Sequence, residues 1–182
     1  MRRRKLLYST AFIAAWVVLL LDQTSKAWAL ASLEGKSDRE ILGSFLRFTF
    51  TRNSGAAFSF APSGSQFLSV FALAVLFAII FWIKKITSQG WALVLGLVAG
   101  GILGNLSDRV FRSSSGAFRG EVIDYIALPH WPVFNIADSA IVVAAGFALL
   151  LSFRNISPIS TIKEDPINEN DLDGKSETKD GA

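Results

Sequence analysis

The sequence predicts a membrane protein built on four transmembrane helices. Three observations carry that prediction. Just over half of the 182 residues are hydrophobic (51%) and the mean hydropathy is +0.42, which in water would leave broad apolar patches exposed on a domain of this size. The apolar residues gather into four runs, 6–21, 67–83, 91–106 and about 134–153, each near the roughly 20 residues a bilayer crossing needs. Trp28, Trp82, Trp91 and Trp131 stand near run ends, where amphipathic rings settle at the headgroup level.

The first run comes after Arg2, Arg3, Arg4 and Lys5, so the positive-inside rule puts the N-terminus in the cytoplasm and a helix over about 6–28. A cleavable signal peptide shares that basic start, and Ala27-Trp28-Ala29 resembles a cleavage site. The polar "DQTSK" between the apolar core and that site argues against it. Residues 22–66 then face outward. Within them, "SFLRFTFTR" (44–52) alternates Leu46, Phe48 and Phe50 with Arg47, Thr49 and Thr51, the period-two pattern of a strand with one greasy face. "NSG" (53–55) signals a turn, and "AAFSF" can supply a returning strand. The greasy face suits the headgroup boundary, in reach of lipid and peptide alike.

A second helix, about 66–84, ends at Lys84 and Lys85 on the cytoplasmic side, and a third covers about 90–108. Gly96, Gly100 and Gly104 recur every fourth residue, a small-residue stripe that lets a neighbouring helix approach closely. Packing accounts for the glycines but not for the polar residues after them: Asn105 and Arg109 share a face one turn apart, with Asp108 beside them. Arg109 either snorkels to the interface or pairs with an anionic group or a substrate carbonyl. Residues 107–133 face outward again. Both outer segments carry basic residues, Arg47, Arg52, Arg109, Arg112 and Arg119, which run against the orientation rule and need another explanation.

In the second outer segment Val122, Ile123, Tyr125 and Ile126 enclose Asp124. The fourth run starts "FNIAD", with Asn135 and Asp138 just before a long stretch free of other ionisable groups. An Asp at the centre of a membrane helix costs roughly 2.5–3.5 kcal/mol. It is either a helix cap at the water boundary or a reactive carboxylate. Pro129 and Pro132 prevent one continuous helix, so the chain can turn back and bring Asp124 towards Asp138. Two carboxylates at one site share a proton. The ionised member then activates water while the protonated member polarises a carbonyl. Paired intramembrane acids also occur in transporters, so the spacing alone leaves both chemistries open.

Other chemistry is poorly supported. There is no Cys and one His, so a disulfide framework, a thiolate nucleophile and zinc–thiolate or imidazole-rich metal sites are not expected. Neither is a cofactor. A net charge of +3, without a long basic patch interleaved with aromatics, gives no nucleic-acid footprint. The segment from Arg154 is polar and lacks aromatics, the composition of a disordered extension.

The motifs "DQTSK" (22–26), "NSGAAF" (53–58), "GGILGNLSDR" (100–109), "VID" (122–124) and "FNIAD" (134–138) occur in this order across about residues 6–153. In this the chain resembles the lipoprotein signal peptidases (signal peptidase II), aspartic endopeptidases of the bacterial cytoplasmic membrane. The resemblance implies an all-α membrane protein: four transmembrane helices with a small extracytoplasmic β-sheet cradle at about 42–61 and a short extracytoplasmic loop or helix. Residues 1–153 would be the peptidase domain and 154–182 a cytoplasmic tail. It implies cleavage of diacylglyceryl-modified prolipoproteins just before the lipidated cysteine, in contact with membrane lipid, by a protein expected to be monomeric. Carried over by position, Asp124 and Asp138 are the catalytic pair. Asn53, Asn105, Arg109 and Asn135 form the polar shell, Asp22 and Lys26 support the site from helix 1, and Gly55 and Ala56 let the substrate backbone approach. Both termini would be cytoplasmic and the site would lie at the outer face. Two other classes compete on the residues alone: a small proton-coupled transporter using the two acids as a relay, and a structural scaffold in which Gly and Asn merely pack helices.

Overall fold

The computed structural model describes residues 2–55, 64–113, 116 and 118–159. Among them the elements are α1 (Arg2–Leu33), β1 (Arg39–Leu42), β2 (Leu46–Asn53), α2 (Gly64–Trp82), α3 (Gln89–Phe111), β3 (Val122–Ala127) and α4 (Ile136–Phe153). All four helices are long and apolar enough to cross a membrane. Phe12, Leu20, Phe71, Phe81, Val142 and Leu149 stand exposed on them, an outward greasy belt of the kind a membrane-spanning helix presents. The fold is thus the four-helix membrane architecture with a small sheet that the sequence predicts.

Small residues bring the helices together. A Cβ at Gly96 would stand 2.5 Å from the Ala11 carbonyl oxygen, and one at Gly100 would stand 2.7 Å from that of Ala15. The every-fourth stripe on α3 is therefore the seam with α1, and any side chain there would force the backbones apart. On the opposite face Gly101 meets the Ala137 carbonyl of α4. With both faces taken, α3 is the central helix.

α1 has 32 residues, about 48 Å at 1.5 Å per residue, and so exceeds a hydrocarbon core of roughly 30 Å. "DQTSK" does not interrupt it. Asp22 and Lys26, four apart on one face, turn inward and are fully buried. Beyond them Trp28 makes edge contacts with Phe48 of β2 (centroids 5.2 Å) and Tyr125 of β3 (6.1 Å). The Phe face of β2 accordingly packs on to Ala29, Leu33, Ile123 and Tyr125 rather than outward against lipid.

The sheet is antiparallel with order β1-β2-β3. The returning strand expected at 56–60 lies outside the described residues. Among the described residues β2 pairs with β1 on one side and, on the other, with β3 from the segment after α3, which the sequence did not mark as a strand. "VIDYIA" is rich in β-branched and aromatic residues, and all but Ile126 are buried. After β3 the chain turns through Pro129, His130 (φ 58°) and Pro132. Phe134 then pairs back on Ile126, with N–H···O bonds of 2.9 and 3.0 Å, and α4 begins two residues later. Three of the outer basic residues that ran against the orientation rule are in ion pairs: Arg47 with Asp38, Arg52 with Glu34 and Arg112 with Asp108. Past α4, the Ile156 carbonyl accepts from Trp91 Nε1 (2.7 Å) and the Pro158 carbonyl from Thr87 N (2.9 Å). Residues 160–182 lie outside the described ones.

Candidate active site

The site forms where the start of α4, the end of α3 and β3 meet. Asn135 is the N-cap of α4. Its side-chain oxygen accepts from Asp138 N, and Asp138 Oδ2 accepts from Asn135 N at 3.2 Å, a complete capping box. That leaves Asp138 Oδ1 free of cap duty, and it accepts from Asn105 Nδ2 of α3 at 2.8 Å. The two sequence alternatives for this carboxylate are thus compatible: it caps with one oxygen and enters a polar cluster with the other.

Asp124 is 2% exposed. The register of the sheet pairs Thr51 with Asp124, so Asn53, two residues on, shares the face of Asp124 and reaches it diagonally. Asn53 Nδ2 donates to Asp124 Oδ2 at 2.8 Å and Asn135 Nδ2 to Asp124 Oδ1 at 2.6 Å. Burial pushes the Asp124 carboxyl up to about 6, and the negative charge of Asp138 adds to the push. The bonds from Asn53 and Asn135 and the charge of Lys26 oppose it. Asn135 therefore joins the two carboxylates: its side chain donates to Asp124 and its backbone N–H to Asp138. The turn at Pro129–Pro132 brings them together across fourteen residues of sequence.

Asn105 also accepts, through Oδ1, from Lys26 Nζ (2.9 Å) and Asn135 Nδ2 (3.1 Å). Lys26 pairs with Asp22 at 2.8 Å and with Asp108 at 2.9 Å. Gly55 has φ 91°, and its N–H closes a turn on to Asn53 Oδ1 at 2.8 Å, which orients the Asn53 amide towards Asp124. Ala56 lies outside the described residues. Arg109 bonds only weakly to its own helix, Nη1 to Asn105 O at 3.4 Å. Its buried Nε has no partner among the described residues, although Asp138, Asp108 and Asp124 all bear on its charge. Arg109 and Asn105 form the polar end of a cavity of about 170 Å³ between α2, α3 and α4, whose other walls include Leu68, Phe71, Ile102 and Ile141. No group of three or more His, Cys, Asp or Glu suited to a metal ion occurs among the described residues.

Of the sequence candidates, Asp22, Lys26, Asn53, Gly55, Asn105, Arg109, Asn135, Asp124 and Asp138 gather at this end of the bundle. Sequence reasoning noted Asp108 without a role and passed over Gln23. Both are in the cluster: Gln23 Nε2 donates to Asp22 Oδ2 (3.1 Å) and Asp108 Oδ1 (3.3 Å).

The chain is similar to known proteins over most of its length. The family model for signal peptidase (SPase) II matches residues 14–154. A "Lipoprotein signal peptidase" of Streptomyces coelicolor is 44% identical over 163 residues, covering 90% of this chain and 79% of the relative. One of Mycobacterium leprae is 42% identical over 151 residues, covering 83% and 73%. A bacterial membrane enzyme solved by the in meso method at 1.9 Å superposes with a TM-score of 0.71 at 25% identity, covering 81% of this chain and 94% of that one.

Proposed function

The chain belongs to the signal peptidase II family and is thus a peptidase, and from that premise we propose that it removes the signal peptide from diacylglyceryl-modified prolipoproteins by aspartic catalysis. The observation that carries the catalytic assignment is Asn135 holding both Asp124 and Asp138. Carboxylates tied to one residue in a largely dry site share a proton. Asp124, the buried member whose carboxyl is pushed up to about 6, keeps it.

With that proton placed, each step has a donor and an acceptor. Ionised Asp138 takes a proton from water as the water oxygen adds to the scissile carbonyl carbon. Asp124 gives its proton to the carbonyl oxygen. Collapse of the tetrahedral intermediate returns that proton to Asp124 and breaks the C–N bond, and Asp138 passes its proton to the departing amine. The expelled N-terminus is that of the lipidated cysteine. Arg109, with an unspent donor at the polar end of the cavity, holds a peptide carbonyl there, and the apolar walls take the neighbouring side chains or acyl groups.

Charge supports the location. Arg2–Lys5 and the Lys84–Lys85 pair lie at the bundle end opposite the dyad, so the positive-inside rule puts both termini in the cytoplasm and the dyad at the outer leaflet. An acyl-anchored substrate presents its scissile bond at that depth. The test is purified protein in detergent with a prolipoprotein, with and without the diacylglyceryl group, and mass spectrometry of the products. Cleavage of only the lipidated form, leaving a mature chain that starts at the modified cysteine, supports the proposal. Cleavage elsewhere, or equal cleavage of both forms, contradicts it.

A further inference from the structure

We propose that the buried cluster of Lys26, Asp22 and Asp108 sets the spacing of the catalytic aspartates, which makes these three positioning residues for the reaction. The inference rests on the reading of Asp124 and Asp138 as the dyad. Lys26 Nζ lies 2.8 Å from Asp22 Oδ2 and 2.9 Å from Asp108 Oδ2, and all three side chains are fully buried. Each carboxylate then accepts one backbone N–H from outside its own helix. Asp22 Oδ1 accepts from Ala137 N at 3.0 Å, and Asp108 Oδ2 accepts from Ile123 N at 3.1 Å. Ala137 immediately precedes Asp138, and Ile123 immediately precedes Asp124. One ammonium on α1 therefore holds, through two carboxylates, the backbone N–H of the residue ahead of each dyad aspartate.

Its third proton completes the arrangement. Lys26 Nζ donates to Asn105 Oδ1 at 2.9 Å. A lysine ammonium has no acceptor, so the Asn105 amide must turn its oxygen to Lys26 and its nitrogen to Asp138 Oδ1. Arg112 Nε at 2.8 Å and Gln23 Nε2 at 3.3 Å complete the partners of Asp108 Oδ1, so two cations balance two anions. A Cβ at Gly104 would stand 2.5 Å from Asp22 Oδ2, so glycine is what lets α3 close over this carboxylate. Buried ion clusters are weak contributors to net stability and are often replaceable by neutral groups. Holding two segments from α1 and α3 in fixed relation is what this one adds.

Lys26→Met alone would leave Asp22 buried without a cation and Asp108 with Arg112 only, so the deciding variant removes all three buried charges, Lys26→Met with Asp22→Asn and Asp108→Asn, and leaves the partly exposed Arg112 to solvent. The new amide oxygens can still accept from Ala137 N and Ile123 N. The full chain is assayed in detergent on lipidated prolipoprotein, beside wild type and Asp124→Asn. The triple variant is expected to accumulate and melt within a few degrees of wild type. Its kcat should fall about 100-fold, the scale on which ~1 Å misplacement acts, with KM within about threefold. A triple variant with wild-type kcat overturns the inference, and so does one that fails to accumulate, since the cluster would then serve the fold. If Asp124→Asn cleaves normally, it is the dyad reading that fails.

Discussion

Burial pushes the Asp124 carboxyl up to about 6, and under the proposed mechanism that sets the pH behaviour of the free enzyme. The proposed mechanism fixes the sign: it needs a proton on Asp124, and that proton is lost above the raised value. We expect kcat/KM, which reports the free enzyme, to descend above about pH 6. The limb in kcat should lie higher, because bound substrate desolvates the carboxyl further. A kcat/KM profile flat from pH 5 to 9 would contradict the shared proton. Asn53 supplies a hydrogen bond that favours the ionised form. Asn53→Ala should therefore move the limb to higher pH and lower kcat/KM by about 10- to 100-fold, the scale of a lost charge-assisted bond of roughly 1.5–3 kcal/mol. At this scale much of the site is legible in the sequence. Asp124, Asp138, Asn105 and Asn135 stand out because polar groups in apolar runs are costly to keep. The role of Asp108 is not legible, because an acid between Ser107 and Arg109 near a helix end has the look of a solvated residue. Its burial depends on the distant Lys26 and Ile123.

Among the elements, the α1–α3 seam is legible and β3 is not. A glycine every fourth residue announces close helix packing, and Gly96 and Gly100 do face α1 backbone. We expect Gly100→Ala, whose Cβ would stand 2.7 Å from the Ala15 oxygen, to destabilise by about 1–3 kcal/mol, as overpacking does. Gly146→Ala, where nothing lies within 4 Å, should be neutral or slightly stabilising through helix propensity. Comparing their melting temperatures in detergent tests the seam, and equal effects would argue against it. β3 escapes a sequence reading because a six-residue apolar run with a central Asp has no clean period. It becomes a strand by pairing with β2, about seventy residues earlier in the chain, and such non-local pairing leaves no local signature.

For the whole molecule, Arg2–Lys5 with Lys84 and Lys85 mark one end of the bundle and the candidate site marks the other. In intact spheroplasts of a host with a cytoplasmic membrane, a single cysteine introduced at Trp131 should react with a membrane-impermeant maleimide. One introduced at Lys85 should react only after lysis. The reverse pattern would invert the proposed topology. Of the basic residues at the candidate-site end, four do not undermine this orientation, because Arg47, Arg52 and Arg112 are paired and Arg109 faces the Asp124 and Asp138 carboxylates. The proposed function stands or falls on Asp124 and Asp138 performing the hydrolysis together. Single-turnover cleavage of diacylglyceryl-modified prolipoprotein measures this, with purified wild type, Asp124→Asn and Asp138→Asn each first confirmed as folded by its melting temperature. Each variant is expected to be at least ~10³-fold slower than wild type, in line with the loss of general acid–base catalysis. Either variant cleaving at close to the wild-type rate would contradict the dyad.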